Sequence, residues 1–316
     1  MNPQVANNID ISVVIPFYMG TGVVERLFER IKTSMNQVGK SFEVLLVDDR
    51  SPDMGWGKIV ELGKVHKELK GIRLSRNFGQ HYAMAAGLDM AKGNWVVVMD
   101  CDLQDRPEEI AKMLEKAEEG YDVVLGKRVQ RNDGFFKRLF SRFFYKVLFF
   151  LTGNKLDHTV ANFGLYHRKV IDAICSSNEY IRFFPTQVNW VGFHQTSITI
   201  NHGEREEGES SYTFTKLLKL ALDIMLSNSD KPLRLAVQLG FFISMLSGFS
   251  SIVLLVQWFR GAITVTGYAS TLLSIWFLSG LIISVLGITG LYIGKIFEQV
   301  KGRPNYIIDE TINVNN

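Results

Sequence analysis

Two aspartate clusters are the groups in this sequence best suited to chemistry. Asp48-Asp49 follows the apolar run FEVLLV, and Asp100-x-Asp102 follows the run NWVVVM. Dense carboxylate oxygens with no nearby His and with the single thiol of Cys101 suit Mg²⁺ or Mn²⁺ and argue against zinc. Such an ion commonly completes its coordination with phosphate oxygens of a substrate. The plainer alternative, that such aspartates cap the next helix or form an Asx turn, stays open for Asp53 taken alone.

No glycine-rich phosphate loop accompanies these clusters. The segment MGTGVVERL (residues 19–27) has neither a Rossmann dinucleotide fingerprint nor a Walker sequence. A bound diphosphate would therefore have to be neutralised by metal and arginine. The missing loop also argues against a nucleotidyltransferase.

The elements that position the clusters are predicted to be alternating strands and helices. Strands that are apolar on both faces and joined by helical crossovers are typical of a mostly parallel sheet with helices on each side. Ligands bind at the carboxyl ends of such strands, so both clusters should face one crevice beside Pro16, Phe17 and Tyr18. The predicted strands are 11–17, 42–48, 71–75, 94–100 and 121–126, and the predicted helices are 23–37, 56–69, 80–92 and 106–119.

The composition and the C-terminal third point to a membrane. Apolar residues make up 47 % of the chain against 21 % charged residues, which excludes disorder and disfavours a plain cytosolic enzyme. Leu235–Trp258 and Ser270–Ile293 are each uncharged for 24 residues. Each would form about 36 Å of helix against a hydrocarbon core of about 30 Å. The alternative is a pair of buried core helices.

The distribution of basic residues predicts the orientation of this pair of spans. Only Arg260 is charged in the loop between the spans, whereas seven basic residues flank the pair on the other side. The positive-inside rule then places the first 230 residues, which hold both aspartate clusters, and both chain ends in the cytoplasm. The protein is therefore predicted to be integral to the plasma (inner) membrane. The seven are Lys216, Lys219, Lys231, Arg234, Lys295, Lys301 and Arg303.

A basic, Phe-rich segment precedes these spans. Residues 135–152 read FFKRLFSRFFYKVLFFLT, and helical spacing separates Lys137, Arg138, Arg142 and Lys146 from the Phe and Leu side chains. This pattern is typical of an interfacial helix at anionic headgroups. A core-facing helix with a solvated polar face, or an oligomer contact, is the alternative.

These residues resemble the glycosyltransferase family 2 enzymes with a GT-A fold. Within that family they are most similar to the polyprenyl-phosphate glycosyltransferases related to dolichol-phosphate mannose synthase and bactoprenol glucosyltransferase. The motifs that carry the resemblance run in order along nearly the whole chain, and a two-span hairpin follows them. They are VVIPFY (13–18), LLVDDRSPD (45–53), RNFGQHYAMAAGLDMAKG (76–93), MDCDLQDRPEEI (99–110), GKR (126–128) and REEGESSYTFTKLLKLALD (205–223).

The resemblance implies a donor site that uses a divalent ion, Mg²⁺ or Mn²⁺. Asp102 would be the direct metal ligand, with Asp100 in the same motif and Gln104 as a further candidate. The nucleotide-sugar site would comprise Pro16, Tyr18, Asp48, Asp49, Arg76 and Asp100.

The resemblance also implies catalytic and acceptor residues. Arg205 would cover the diphosphate from a mobile loop. Asp105, which taken alone could equally form a turn, is a candidate base or acceptor-positioning group. Arg128, Lys137 and Ser141 fall where relatives hold the acceptor phosphate.

Four departures from the common pattern leave the transferred sugar open. Arg106 replaces a proline, Asn94 stands where Asp often follows the glycine, and Ser211 replaces a lysine. The segment ANFGLYHRK (161–169) lacks an acid and an arginine that relatives carry near the expected sugar pocket.

The sequence as a whole predicts a membrane-bound, metal-dependent transferase that moves a sugar from a nucleotide diphosphate-sugar, with UDP favoured, to a polyprenyl phosphate. The alternatives are a processive or other membrane glycosyltransferase, or a catalytically silent scaffold of glycolipid assembly. No nucleic-acid partner is expected, and a homo-oligomer is left open. The predicted domains are a GT-A domain over 1–212, a juxtamembrane helix over 213–231, two transmembrane helices over 232–294 and a cytoplasmic tail over 295–316.

Overall fold

The computed structural model describes residues 9–128, 160–177, 184–201, 231–260 and 267–314. The chain divides into two compact units. Unit 1 comprises Met1–Tyr145, Asn154–Thr213 and Pro304–Asn316, and unit 2 comprises Lys146–Gly153 and Phe214–Arg303. The last residues of the chain thus belong to the same unit as the aspartate clusters.

Unit 1 alternates strands and helices, as the sequence predicts. Helix α1 shows why: its apolar side chains recur every three or four residues, so one face is buried, and it ends at Gly39, whose φ of 70° suits glycine. The elements are β1 (Ile11–Phe17), α1 (Val24–Val38), β2 (Phe42–Asp48), α2 (Gly55–Val65), β3 (Leu69–Leu74), α3 (Gln80–Met90), β4 (Trp95–Val98), a 3₁₀ turn (Pro107–Glu109), α4 (Ile110–Glu118), β5 (Val123–Arg128), β6 (Val160–His167), α5 (Arg168–Cys175), α6 (Phe184–Val191), β7 (Gln195–Ile200) and β8 (Ile308–Ile312).

The strands of unit 1 form one eight-stranded sheet in the order β7-β5-β6-β4-β1-β2-β3-β8. Strands β3, β2, β1 and β4 are mutually parallel, and β5 is parallel to β7. Strand β6 runs antiparallel between β4 and β5, and β8 runs antiparallel along β3. The predicted mostly parallel sheet is confirmed.

Helices cover both faces of the sheet, which confirms the predicted layering. Full burial of a Leu, Ile, Met or Phe side chain stabilises the fold by about 1.5–3 kcal/mol, so the two packed faces fix the positions of the strand ends. One face buries Phe28 and Ile31 of α1, Ile59 of α2 and Met113 of α4, and the other buries Met84 of α3, Ile171 of α5 and Val188 of α6.

Unit 2 contains two long helices, α7 (Lys231–Phe259) and α8 (Tyr268–Val300). Among the described residues, one segment, Ser274–Val300, is long and apolar enough to cross a membrane: a stretch of 18 residues within it has a mean hydropathy of 1.9, and none of that stretch is buried. The two-span hairpin therefore stays a prediction. The segments 135–152 and 213–230 lie outside the described residues.

Candidate active site

The carboxyl ends of the parallel strands bring the two aspartate clusters to one edge of the sheet. Strand β1 lies between β2 and β4, and Phe17 pairs in register with Asp48. The N–H of Asp49 donates to the carbonyl of Phe17 at 3.0 Å, and the N–H of Met99 donates to the carbonyl of Val14 at 3.2 Å. Both clusters thus flank the end of β1, where the sequence places them.

Cys101 shows that the second cluster lies beside Tyr18. Burial raises the pKa of the Cys101 thiol to about 11, a hydrogen bond with the backbone of Tyr18 opposes this shift, and the charges of Asp100 and Asp102 add to it. The thiol therefore stays protonated at neutral pH and is a packing group. Tyr18 itself is 45 % exposed, and Pro16 is buried.

Asp49 fixes the loop that precedes α3. Its Oδ1 accepts from the N–H of Phe78 at 2.7 Å, and its Oδ2 accepts from the N–H of Gly79 at 2.8 Å. Gly79 has a φ of 105°, a region that favours glycine, and α3 begins immediately after it. Burial raises the pKa of Asp49, and the two backbone hydrogen bonds partly offset that effect. Asp49 thus ties β2 to the segment that carries Arg76.

Asp48 is fully buried and lies against an arginine. Its Oδ1 accepts from the N–H of Ser51 at 2.9 Å, and its Oδ2 lies 3.3 Å from Nε of Arg73 on β3. Among the described residues, neither this Oδ2 nor this Nε makes a hydrogen bond, so the contact between the two side chains is an ion pair without a hydrogen bond. The sequence analysis did not single out Arg73.

The loops after β1 and β2 are joined into one wall. Ser51 Oγ accepts from the N–H of Met19 at 3.1 Å, and Asp53 Oδ2 accepts from both N–H and Oγ1–H of Thr21, at 3.2 and 2.7 Å. Asp53 Oδ1 also accepts from the N–H of Gly55 at 3.2 Å, at the start of α2. The turn-and-cap alternative for Asp53 is therefore the one that the structure shows.

Amide side chains hold the first aspartate of the second cluster. Asp100 Oδ1 accepts from Nε2 of Gln80 at 2.7 Å, and Oδ2 faces Nδ2 of Asn162 at 3.5 Å. Sequence reasoning missed both partners. The sequence did offer a signal for Asn162, since this neutral residue lies in segment 161–169, which lacks an acid that relatives carry near the expected sugar pocket. The two amide side chains thus orient the carboxylate of Asp100.

The rest of this cluster forms a tight turn. Asp102 Oδ1 accepts from the N–H of Gln104 at 3.1 Å, and Leu103 between them has a φ of 62°. Asp105 is 1 % exposed, and its Oδ2 accepts from the N–H of Asp100 at 3.0 Å. The carboxylate of Asp105 therefore closes the turn back onto the residue that begins it.

The oxygen donors of this turn fit a divalent ion that is completed by substrate. Within the described residues, no three His, Cys, Asp or Glu side chains converge as a preformed metal cage. Asp100, Asp102 and the side-chain oxygen of Gln104 offer hard oxygen ligands in one turn. An ion held by one or two carboxylates with phosphate oxygens for the rest matches this set.

The remaining candidates are only partly described. Arg76 is exposed, lies over the ring of Phe78 at 4.0 Å and donates to the carbonyl of Asn77 at 3.2 Å. Arg128 ends β5, and since β5 runs parallel to β4, that end lies on the same edge of the sheet as Asp100. Lys137, Ser141 and Arg205 lie outside the described residues.

Comparisons with known proteins identify the family. Residues 12–175, just over half of the chain, match the model of Glycosyl transferase family 2. The chain is 37 % identical over 314 residues to the uncharacterized glycosyltransferase YkcC of Bacillus subtilis, covering 98 % of this chain and 97 % of that protein. It is 35 % identical over 303 residues to the uncharacterized glycosyltransferase sll0501 of Synechocystis sp., covering 96 % and 95 %.

A solved structure supports the fold. Glucosyl-3-phosphoglycerate synthase from Mycobacterium tuberculosis, in complex with Mn²⁺, uridine diphosphate and phosphoglyceric acid, superposes with a TM-score of 0.50 at 14 % identity, covering 69 % of this chain and 77 % of that one. The sheet with its aspartate edge thus has the GT-A α/β fold. On the family match, the two relatives of nearly equal length and this fold, the chain belongs to glycosyl transferase family 2 and is a nucleotide-sugar glycosyltransferase.

Proposed function

We propose that this enzyme transfers a sugar from a nucleotide diphosphate-sugar, a UDP-sugar in the first instance, to the phosphate of a polyprenyl lipid at the cytoplasmic face of a membrane. The observation that carries this proposal is a family 2 catalytic domain on the same chain as an exposed apolar helix, Ser274–Val300. The basic, Phe-rich segment 135–152 supports it, because a lipid phosphate needs cations at the membrane surface.

The donor would bind along the sheet edge. Pro16 near the end of β1 and Tyr18 just after it would enclose the base and ribose together with the loop after β2, which the buried carboxylates of Asp48 and Asp49 hold in place. Arg76 would lie on the same side. Asp102, with Asp100 and Gln104, would hold Mg²⁺ or Mn²⁺; the solved relative that contains Mn²⁺ and uridine diphosphate supports this choice of ion and nucleotide. When bound, the ion supplies positive charge to the diphosphate.

The reaction needs alignment and charge neutralisation more than a strong base. An oxygen of the acceptor phosphate forms a bond to the anomeric carbon of the sugar, and the bond from that carbon to the diphosphate breaks. Because the acceptor oxygen is already anionic, no proton has to be removed from it. Arg205 would neutralise the departing diphosphate, and Arg128, Lys137 and Ser141 would hold the acceptor phosphate.

We assign Asp105 a positioning role in this scheme. A side chain that is 1 % exposed offers no surface to an acceptor, whereas its hydrogen bond to the N–H of Asp100 sets the turn that carries Asp102. Asp105 thus holds the metal-binding turn in shape.

The proposal is tested by transfer of labelled sugar into lipid. Membranes containing the full chain are incubated with radiolabelled UDP-sugars and undecaprenyl or dolichyl phosphate, with Mg²⁺ or Mn²⁺, and label is counted in the lipid extract. Asp102→Asn should abolish transfer by removing a ligand charge at constant volume, and excess chelator should abolish it in the wild type. Asp172→Asn, an exposed aspartate paired with Arg168 on α5, is the matched control and should transfer normally.

The result separates the alternatives. Label in a polymer and none in extractable lipid would favour a processive synthase, and no transfer with any nucleotide-sugar would favour a silent scaffold. Full activity of the wild type in excess chelator would refute the metal assignment.

A further inference from the structure

The C-terminal strand β8 forms an edge of the catalytic sheet. It pairs antiparallel with β3, where Gly71 pairs with Ile312 and Arg73 pairs with Glu310. A Cβ on Gly71 would lie 2.6 Å from Cγ2 of Ile312, so glycine is needed for this close approach. The strand therefore lies beside β3, which carries Arg73, and β2, which ends at Asp48, is the next strand beyond β3.

Glu310 of this strand connects to the donor pocket through Arg73. Its Oε1 accepts from Nη1 of Arg73 at 3.1 Å, and its Oε2 accepts from Nε1 of Trp56 at 3.1 Å. The guanidinium of Arg73 lies 5.7 Å from the centre of the Trp56 ring, and its Nε lies 3.3 Å from Oδ2 of the buried Asp48. One arginine is thus held between a buried carboxylate and a surface carboxylate.

We propose that Glu310 is a positioning residue for the donor nucleotide, acting through Arg73 on Asp48. This inference rests on the proposed function, in which Asp48 and the loop it begins enclose the nucleotide. With Glu310 in place, Nη1 of Arg73 donates to Glu310, and Nε lies 3.3 Å from Oδ2 of Asp48 without forming a hydrogen bond. Without the charge of Glu310, the guanidinium can turn and bind Asp48 through two nitrogens, which is the stronger geometry.

Such a rotation of the guanidinium would shift the proposed nucleotide site, since Asp48 ends β2 where the loop begins. Asp48 Oδ1 accepts a hydrogen bond from the N–H of Ser51, and Ser51 Oγ accepts one from the N–H of Met19, the residue after Tyr18. A shift of the Asp48 carboxylate therefore reaches both loops that would enclose the base and ribose. The path runs from the C-terminal strand to the nucleotide without any contact between Glu310 and the nucleotide itself.

The neighbouring residue Asp309 provides a matched control. It forms an ion pair with Arg50, and both side chains are more than 40 % exposed. Among the described residues, neither of these two side chains forms a hydrogen bond or an ion pair with Arg73 or Asp48. Asp309→Asn and Glu310→Gln each remove one charge from the same strand, so any general effect on β8 should be equal in the two variants.

The test measures binding of UDP and of GDP, each with Mn²⁺, to the detergent-solubilised full chain by isothermal titration calorimetry. Glu310→Gln should raise the Kd of the nucleotide that the wild type binds by about threefold to tenfold, the difference between a charge-assisted and a neutral hydrogen bond. Asp309→Asn should leave the Kd unchanged. In an Arg73→Gln background, Glu310→Gln should cause no further rise, because its route to Asp48 is already broken.

Three results would overturn the inference while the proposed function stands: an unchanged Kd in Glu310→Gln, an equal rise in Asp309→Asn, or the same factor for Glu310→Gln in both backgrounds. Thermal unfolding of each variant shows that the chain is folded. If the wild type binds neither nucleotide, the proposed donor is wrong and this inference is overturned with it.

Discussion

Asp105 gives the sharpest test of how the second cluster works, because two substitutions at this residue separate two chemical roles. Asp105 Oδ2 accepts from the N–H of Asp100 at 3.0 Å, and the side chain is 1 % exposed. In Asp105→Asn, the amide oxygen can still accept that N–H, but the charge is lost. A charge-assisted hydrogen bond contributes about 1.5–3 kcal/mol and a neutral one about 0.5–1.5 kcal/mol, so Asp105→Asn should weaken this hydrogen bond by about 1 kcal/mol.

That difference corresponds to about fivefold to tenfold in rate if the whole loss appears in the transition state. Asp105→Ala leaves the N–H of Asp100 without its acceptor and should cost more, about 1–3 kcal/mol. Loss of a required general base would instead cost about 10²–10⁴-fold in both variants. The positioning role therefore predicts a graded series, in which wild type exceeds Asn and Asn exceeds Ala.

The assay is kcat for transfer of labelled sugar to polyprenyl phosphate at saturating donor and acceptor. Glu108→Gln is the control, since it removes the same charge three residues away, where Glu108 pairs with Arg30 at the surface. It should transfer normally. Equal losses beyond about 10²-fold in both Asp105 variants, with both folded, would refute the positioning role and restore Asp105 as a base.

Two further predictions concern stability and the acceptor. Burial lowers the pKa of His81 from 6.5 to about 4, so the folded chain favours the neutral ring. Because the unfolded chain binds this proton first, the free energy of unfolding should fall by about 3 kcal/mol as the pH decreases from 6.5 to 4. Urea unfolding at several pH values should show this loss and His81→Gln should remove it; an equal dependence of the unfolding free energy on pH in the variant would exclude His81 as the cause. Arg128→Ala and Lys137→Ala should each raise the KM for polyprenyl phosphate about tenfold or more with the donor KM unchanged, and a changed donor KM would place the basic segment in the donor site.

The parallel core of the sheet was predictable because its signals are local. Strands β1 and β2 are buried along nearly their whole length, so they are apolar on both faces, and the predicted bounds 11–17 and 42–48 are those of the structure. The aspartates at their carboxyl ends followed from a general rule on parallel sheets. The resemblance to glycosyltransferase family 2 was confirmed, and the narrower resemblance to its polyprenyl-phosphate enzymes stays a prediction.

Strands β6, β7 and β8 were not predicted, for physical reasons. Strand β8, IDETI, exposes its three central residues, so it has no apolar run, and its partner β3 lies far away in sequence. Strand β7, QTSITI, is a largely polar edge strand. The antiparallel insertion of β6 between β4 and β5 depends on tertiary pairing, which periodicity cannot report. Because β8 and β6 were missed, so were Glu310 and Asn162.

Contacts that the sequence did not predict also change the electrostatic interpretation of the two aspartate clusters. From sequence, two groups of aspartates on one edge should repel each other unless a cation lies between them. In the structure, protein donors already meet four of these carboxylates: Arg73 faces Asp48, two backbone N–H groups bind Asp49, two amides face Asp100, and a backbone N–H binds Asp105. These contacts stabilise the aspartates at this edge of the sheet, so a divalent ion is not needed to hold the two clusters together. The ion would instead neutralise the charge that arrives with the donor, which explains why the turn at Asp102 offers a few oxygen ligands and why the described residues form no closed cage there.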